Sequence, residues 1–366
     1  LRQRAEGLGL VFLGTAELGE EPDFTRYLRW IEEKRHAGMA YLTDHLELRR
    51  DPRALLEGAR SVVVVGLGYY LGDKLRARGA GGEPRVAQYA RLRDYHKVLR
   101  RRCEELAEAL RDATAPRPVA TRVVVDSAPI LERALAARAG GGFVGKNTCL
   151  IHPREGSWLL LAEIVTSLDL PSTVRASVDP ARRGEAGGCG SCRRCQVFCP
   201  TGALDRDYTL DANRCLAYWT IEHRGTIPER FWPWLGQYYF GCDICQLACP
   251  YNRGAKLQAS AELVKLRELP PLHEVAVMDH AAYERMFGGT PLTRAKRQGL
   301  KRNALIAMAV TRHPRLEEAM ARAVRDEPEA VVAETVAQIR GWLSREAGVD
   351  GREAASLPPE RHELPQ

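Results

Sequence analysis

The chain has 366 residues, 45% of them apolar and 28% charged, and 54 Lys and Arg against 47 Asp and Glu leave a net charge of +7. That length predicts two or three domains, and that balance excludes a wholly disordered chain. The longest apolar run, Leu159–Val165, is broken by Glu163 and is too short for a bilayer span. The N-terminus carries no signal-peptide pattern, and a start at Leu1 without a Met suggests a missing start residue or leader.

In chain order, residues 1–60 read as mainly helical, with an apolar stripe over Phe24–Ile31. Ser61–Val65 is β-branched and suits a buried strand. Gly72–Arg85, rich in Gly and Arg, predicts an exposed loop, and Tyr95–Leu110 a helix. Thr121–Val125 predicts a second strand ending at Asp126, Pro129–Ala137 a helix, and Trp158–Thr166 a third strand. Alternation of this kind predicts an α/β or α+β domain over residues 1–175. Residues 176–255 hold the Cys runs and read as a cofactor module. Residues 256–350 read as helical hairpins, with Leu300–Val310 and Leu316–Val324 as helices, and 351–366 as a frayed, Pro-containing tail.

Of ten cysteines, eight lie between Cys189 and Cys249. Cys189, Cys192, Cys195, Cys199 and Pro200 form the bacterial ferredoxin run for a 4Fe-4S cubane. Three thiolates separated by two-residue gaps wrap one cubane, and the fourth reaches another. A second run, Cys242, Cys245, Cys249 and Pro250, has Tyr239 in its first slot, and Cys215 can supply the missing ligand. Crossing the fourth ligands gives Cys189, Cys192, Cys195 and Cys249 on one cluster and Cys199, Cys215, Cys242 and Cys245 on the other. Paired zinc sites fit this run poorly, because they use two CxxC pairs with a longer gap. Cys103 and Cys149 read as ordinary buried thiols. Gly66-x-Gly68 lacks the third Gly of a dinucleotide fingerprint.

Several blocks resemble one family, the epoxyqueuosine reductases. They are Arg49-Arg50-Asp51-Pro52, Arg93-Asp94-Tyr95-His96, Val125–Arg133, Gly145-Lys146-Asn147-Thr148, Gly156-Ser157-Trp158, Cys199–Ala203, Arg214–Glu222, Gly241–Gln246 and Arg302-Asn303-Ala304-Leu305. The resemblance covers nearly the whole chain. It implies reduction of the epoxide of epoxyqueuosine at the tRNA wobble position, the last step to queuosine. It also implies cobalamin and two 4Fe-4S clusters as cofactors, a cobalamin domain, and a C-terminal HEAT-like helical region that helps hold the tRNA.

Clusters deliver electrons singly, whereas epoxide removal needs two electrons and a proton, so a two-electron mediator is chemically sensible. Asp126, at a strand end, is the expected proton donor, and burial is expected to raise its pKa. The alternative is that Asp126 caps the helix starting near Pro129. The resemblance further implies that Arg49, Ala87, Leu150, Leu161, Ile164, Ala217, Gly241, Asp243 and Asp126 contact the corrinoid. Each has a plainer role as a turn, core or solvated residue. His96 and His152 are possible cobalt ligands by type, but the family uses no protein His below the cobalt, and His96 reads as a structural hydrogen-bonding residue. Residues 290–303 carry Arg294, Lys296, Arg297, Lys301 and Arg302 with no acid, which suits tRNA phosphates. A solvated helix face is the plainer reading.

The expectation is therefore a cytoplasmic, monomeric tRNA-modifying oxidoreductase, fed by a low-potential electron donor and not bound to a membrane. A reductive dehalogenase and a non-catalytic two-cluster electron carrier are the alternatives.

Overall fold

A computed structural model describes residues 1–72, 84–174, 188–254, 259–260, 263–326 and 329–347. Most of the expected Gly72–Arg85 loop, and the expected tail, lie outside the described residues.

Four strands build the central sheet: β1 (Val11–Glu17), β2 (Ser61–Gly68), β3 (Thr121–Val124) and β4 (Leu159–Thr166). Their order is β1-β2-β4-β3, antiparallel throughout, so the domain is α+β rather than doubly wound. Val62, Val63, Val64 and Val65 of β2 are 0% exposed, because helices cover both faces. Burying each such side chain contributes on the order of 2 kcal/mol.

One face packs Val63, Val65, Val123 and Ile164 against Leu99, Cys103 and Leu106 of the helix Tyr95–Asp112. The other packs Val62, Val64, Val124 and Val165 against Leu135, Ala136 and Ala139, in and just after the helix Glu132–Arg138.

Strand β1 corrects the helical reading of residues 1–60. It carries a register shift between Phe12 and Gly14. A Cβ on Gly14 would stand 1.9 Å from the Ala139 carbonyl oxygen, and its φ is +140°. A glycine bulge of this kind removes the alternation by which a strand is recognised. The helix expected at Pro129–Ala137 starts later, at Glu132.

A third core is helical. The helices Leu272–Val277, Lys296–Val310, Leu316–Arg325 and Ala330–Ala347 bury Leu300, Leu305, Met320 and Ile339 together with Trp232, Tyr238 and Phe240 from the neighbourhood of the second Cys run. Among the described residues no helix is long and apolar enough to cross a membrane.

Candidate active site

Asp126 follows β3 in the left-handed region, with φ +54°. Asp tolerates this conformation better than most residues, and such strain concentrates at working sites. The expected capping role is not seen. The helix Glu132–Arg138 has Leu131 at its cap position and no side-chain cap. Instead the Asp126 N–H donates to Glu132 Oε1 at 2.9 Å. The Asp126 carboxylate is thus left for other partners, and its side chain is 56% exposed.

Those partners are Tyr95 and His96, at the start of the long helix. Tyr95 OH donates to Asp126 Oδ2 at 3.0 Å, and His96 Nε2 lies 2.9 Å from the same oxygen. On its far side, His96 Nδ1 lies 2.9 Å from Asp94 Oδ1. Asp94 also caps the helix by accepting from the His96 N–H at 3.1 Å. The imidazole is therefore clamped between two carboxylates.

This clamp corrects the expected direction of the Asp126 pKa. The His96 hydrogen bond, aided by Tyr95 and opposed by burial, holds Asp126 below the usual carboxylate range. The same contact with Asp126 raises His96, against burial and with help from Asp94. Both shifts favour a carboxylate beside an imidazolium, so the proton of this pair belongs on His96 rather than on Asp126.

Two further carboxyls stand behind the pair. Burial pushes Glu132 up to about 7, with the Asp126 charge adding to it. Glu163 is 0% exposed within β4. Burial, then the charges of Glu132 and Asp126, raise it well above its ordinary value, and neither of its oxygens has a hydrogen-bond partner. A lone acid interrupting an apolar strand was the available sequence signal for Glu163. For His96 the signal was its place two residues after a capping Asp.

The eight thiols fall into two groups. Cys189, Cys192, Cys195 and Cys249 line one cavity with Asn147, Ile151, Pro250 and Tyr251. Cys215 lies within electrostatic reach of Cys199, Cys242 of Cys215 and Cys199, and Cys245 of Cys242 and Cys215. All eight are free thiols. Among the described residues no group of three or more His, Cys, Asp or Glu is placed to hold a single metal ion, as a structural zinc would require.

Backbone N–H groups already face sulfurs: Lys146 N donates to Cys189 Sγ at 3.3 Å and Ala203 N to Cys199 Sγ at 3.2 Å. Such bonds stabilise cluster thiolates and set their potential. Cys103 is buried in the sheet core, while Cys149 contacts the Cys245 thiol.

The expected corrinoid contacts are dispersed but include a fitting cradle. Arg49 is 7% exposed. It donates to the Tyr41 carbonyl at 3.2 Å and stacks over the Tyr27 ring. Its Nε and the Gln88 Nε2 are buried donors without protein partners, and the peripheral amides of a corrinoid can accept such bonds. Asp243 accepts from Gln88 N at 2.8 Å, and burial pushes it up to about 7. Gly241 has φ +67°, and a Cβ there would sit 2.6 Å from the Ala87 Cβ. Only glycine lets these two loops close together. Leu150 and Leu161 pack on the face of the Glu132 helix, and Ala217 is half-buried beside Cys215.

Ile164 is a correction. It is 0% exposed and packs into the opposite face with Leu99 and Cys103. Leu161 and Ile164 are three residues apart on one strand and point to opposite sides.

The basic run is corrected as well. Lys301 and Arg302 are 1% and 0% exposed. Lys301 Nζ lies 3.6 Å from Glu329 Oε2, and Arg297 Nη2 lies 3.2 Å from Glu329 Oε1. Arg302 donates to the carbonyls of Trp219, His223 and Gly225 and to Asn303 Oδ1. Those carbonyls lie in and just after the π-helical turn Tyr218–Glu222, whose irregular end leaves acceptors to be satisfied. Burial lowers Arg302 to about 9. Lys296 and Arg294 remain exposed. Arg302→Met should therefore cost stability on the order of 3 kcal/mol through stranded carbonyls. A thermal melt of the cluster-loaded protein should show a Tm several degrees lower. A parent-like Tm with weakened RNA binding would instead return Arg302 to an RNA-facing role.

Comparison with known proteins closes the question of kinship. Residues 188–252 match the family described as 4Fe-4S double cluster binding domain, and residues 49–127 the family described as Epoxyqueuosine reductase QueG, DUF1730. The chain is 37% identical over 340 residues to the epoxyqueuosine reductase of Xanthomonas campestris pv. campestris, covering 91% of this chain and 90% of that one. This chain belongs to the epoxyqueuosine reductase family.

Its fold is that of solved epoxyqueuosine reductases. A selenomethionine-labelled one superposes with a TM-score of 0.79 at 25% identity, covering 98% of this chain and 95% of the other. Another, solved with an epoxyqueuosine-modified tRNA-Tyr stem loop, superposes at 0.80 and 24% identity over the same shares. Like the epoxyqueuosine reductases it resembles, the protein is an oxidoreductase with a double-cluster domain.

Proposed function

We propose that the chain reduces the epoxide of epoxyqueuosine in tRNA to the alkene of queuosine, with Asp126 handing over the proton and His96 recharging it. The observation that carries this reading is the Asp126–His96 bond of 2.9 Å, in a chain whose family is named for acting on this substrate.

The balance is two electrons and two protons: both epoxide carbon–oxygen bonds break, a carbon–carbon double bond forms, and the oxygen leaves as water. That is one proton more than the sequence-based expectation counted. Asp126 faces solvent-accessible space, so its Oδ2 can pass the proton resting on His96 to the substrate oxygen as negative charge grows there. Solvent recharges the pair through His96, whose side chain is 41% exposed, and the second proton follows the same route. Asp94 holds the imidazole so that Nε2 points at Asp126.

In this reading Cys189, Cys192, Cys195 and Cys249 hold one 4Fe-4S cluster, and Cys199, Cys215, Cys242 and Cys245 the other. Arg49, Ala87, Leu150, Leu161, Ala217, Gly241 and Asp243 would hold cobalamin. Cobalamin, when bound, supplies the two-electron chemistry that clusters delivering single electrons lack. Residues 1–175 form the cobalamin domain, 176–255 the cluster domain, and 256–350 a HEAT-like region that holds tRNA through Lys296. The protein acts as a cytoplasmic monomer fed by a low-potential electron donor.

The test is anaerobic reconstitution with iron and cobalt analysis, followed by single-turnover reduction of an epoxyqueuosine-containing tRNA. Formation of queuosine supports the reading, and none with fully loaded protein overturns it.

The proton route predicts a pH profile. His96 carries its proton below its raised pKa and loses it as pH climbs through that value, so single-turnover rates should fall on the alkaline side. His96→Gln should remove that limb and lower the rate at pH 7 by about tenfold or more. An alkaline limb unchanged in His96→Gln would assign it to another group.

A further inference from the structure

Tyr41 is one of few large apolar side chains left exposed among the described residues, at 46%. It sits in the short turn Ala40–Leu42, and the Arg294 guanidinium lies 5.4 Å over its ring. Arg294 is itself fixed from two sides. Its Nε and Nη2 donate to Glu222 Oε1 and Oε2 at 2.9 and 3.2 Å. Its carbonyl accepts from Arg224 Nη2 at 3.0 Å. From below, the Tyr41 carbonyl accepts from the buried Arg49.

Three distant stretches of chain thus converge on one exposed stack. The Arg294 side chain remains 54% exposed in this pair, so solvent screens part of its gain in stability. What the arrangement provides is a flat, stiff surface. The bidentate Glu222 fork sets the guanidinium plane and neutralises its charge. The stack lies within electrostatic reach of Asp126: Tyr41 feels the Asp126 charge, and Asp126 that of Arg294.

We propose that Tyr41 and Arg294 form a stacking platform for the nucleobase next to the modified one in the single-stranded anticodon loop. This deepens the proposed function and rests on its tRNA substrate. A modified ring can reach Asp126 only if its nucleotide leaves the base stack, which strips the neighbouring base of one stacking partner. An aromatic ring backed by a guanidinium replaces that partner with little regard to base identity. Arg294 therefore acts through its face, not as the phosphate contact expected from the sequence, since Glu222 already balances its charge.

The experiment uses the reconstituted protein and a synthetic anticodon stem loop carrying 2-aminopurine immediately 3′ of the wobble nucleotide. With the parent protein the 2-aminopurine should stay quenched on binding. With Tyr41→Ala its fluorescence should rise and affinity fall roughly tenfold or more, with an unchanged dependence on salt. Tyr41→Phe should restore both. Arg294→Lys, which keeps the charge but loses the planar fork, should behave like Tyr41→Ala.

If Arg294→Lys binds like the parent while Arg294→Ala flattens the salt dependence, Arg294 is a phosphate contact and the platform is wrong. Parent-like affinity and fluorescence in Tyr41→Ala, in protein that still turns over, overturns the platform alone. A parent that neither binds the stem loop nor reduces an epoxyqueuosine-bearing one overturns the proposed function, and the platform with it.

Discussion

Asp126→Asn should leave the fold, both clusters and cobalamin in place while single-turnover reduction slows by roughly two to four orders of magnitude, the range of a lost general acid. Asn matches Asp in shape and suits the left-handed backbone at this position equally well. Its carbonyl can still accept from Tyr95 and His96, whose donors now meet at Asp126 Oδ2. What it cannot do is carry a proton from His96 to the substrate. No cap is lost, because the helix Glu132–Arg138 is not capped by this side chain, and a thermal melt separates any cost of the lost His96 charge pair from the rate loss. The deciding comparison is queuosine formed per enzyme with chemically reduced protein. A variant that keeps the parent rate would remove Asp126 from the proton path.

Cys215→Ser should lower iron content from about eight toward about four atoms per chain after full anaerobic reconstitution. Cys215 stands between the two Cys runs, and its sulfur receives backbone hydrogen bonds from Tyr218 and Ala217. Burial raises the free thiol and these two donors oppose it, so they aid a thiolate once iron is bound, and a hydroxyl there is a poor iron ligand. Cys149 is the nearest spare thiol by contact, but it lies against Cys245, a position the same cluster already uses. With the cluster gone, turnover should cease, while the first cluster keeps its absorbance. Iron content and spectrum equal to the parent would refute the assignment of Cys215.

The cysteine spacing made the two-cluster module legible because cubane geometry leaves few ways to space four thiolates. The helix Tyr95–Asp112 and strand β2 were legible for the ordinary reason that their apolar periods are clean. Strand β1 was hidden by its glycine bulge. The burial of Arg302 was hidden because its partners are main-chain carbonyls some 80 residues away, and a carbonyl leaves no mark in a sequence. Ile164 illustrates a constraint present but unused: a strand's two-residue period already separates it from Leu161. The Asp126 pKa could not be read at all, since its sign depends on an imidazole brought over from residue 96 by the fold.

The shared helical core bears on how this protein can be cut. Trp232, Tyr238 and Phe240 are hidden by the helices that follow residue 271, and the carbonyls of Trp219, His223 and Gly225 depend on a single arginine from those helices. A piece that ended after the last cluster cysteine would bare three large aromatic rings and leave those carbonyls to water. Such a piece is an aggregation hazard, not a minimal enzyme, and attempts to separate electron transfer from RNA binding will succeed by point substitution rather than by truncation.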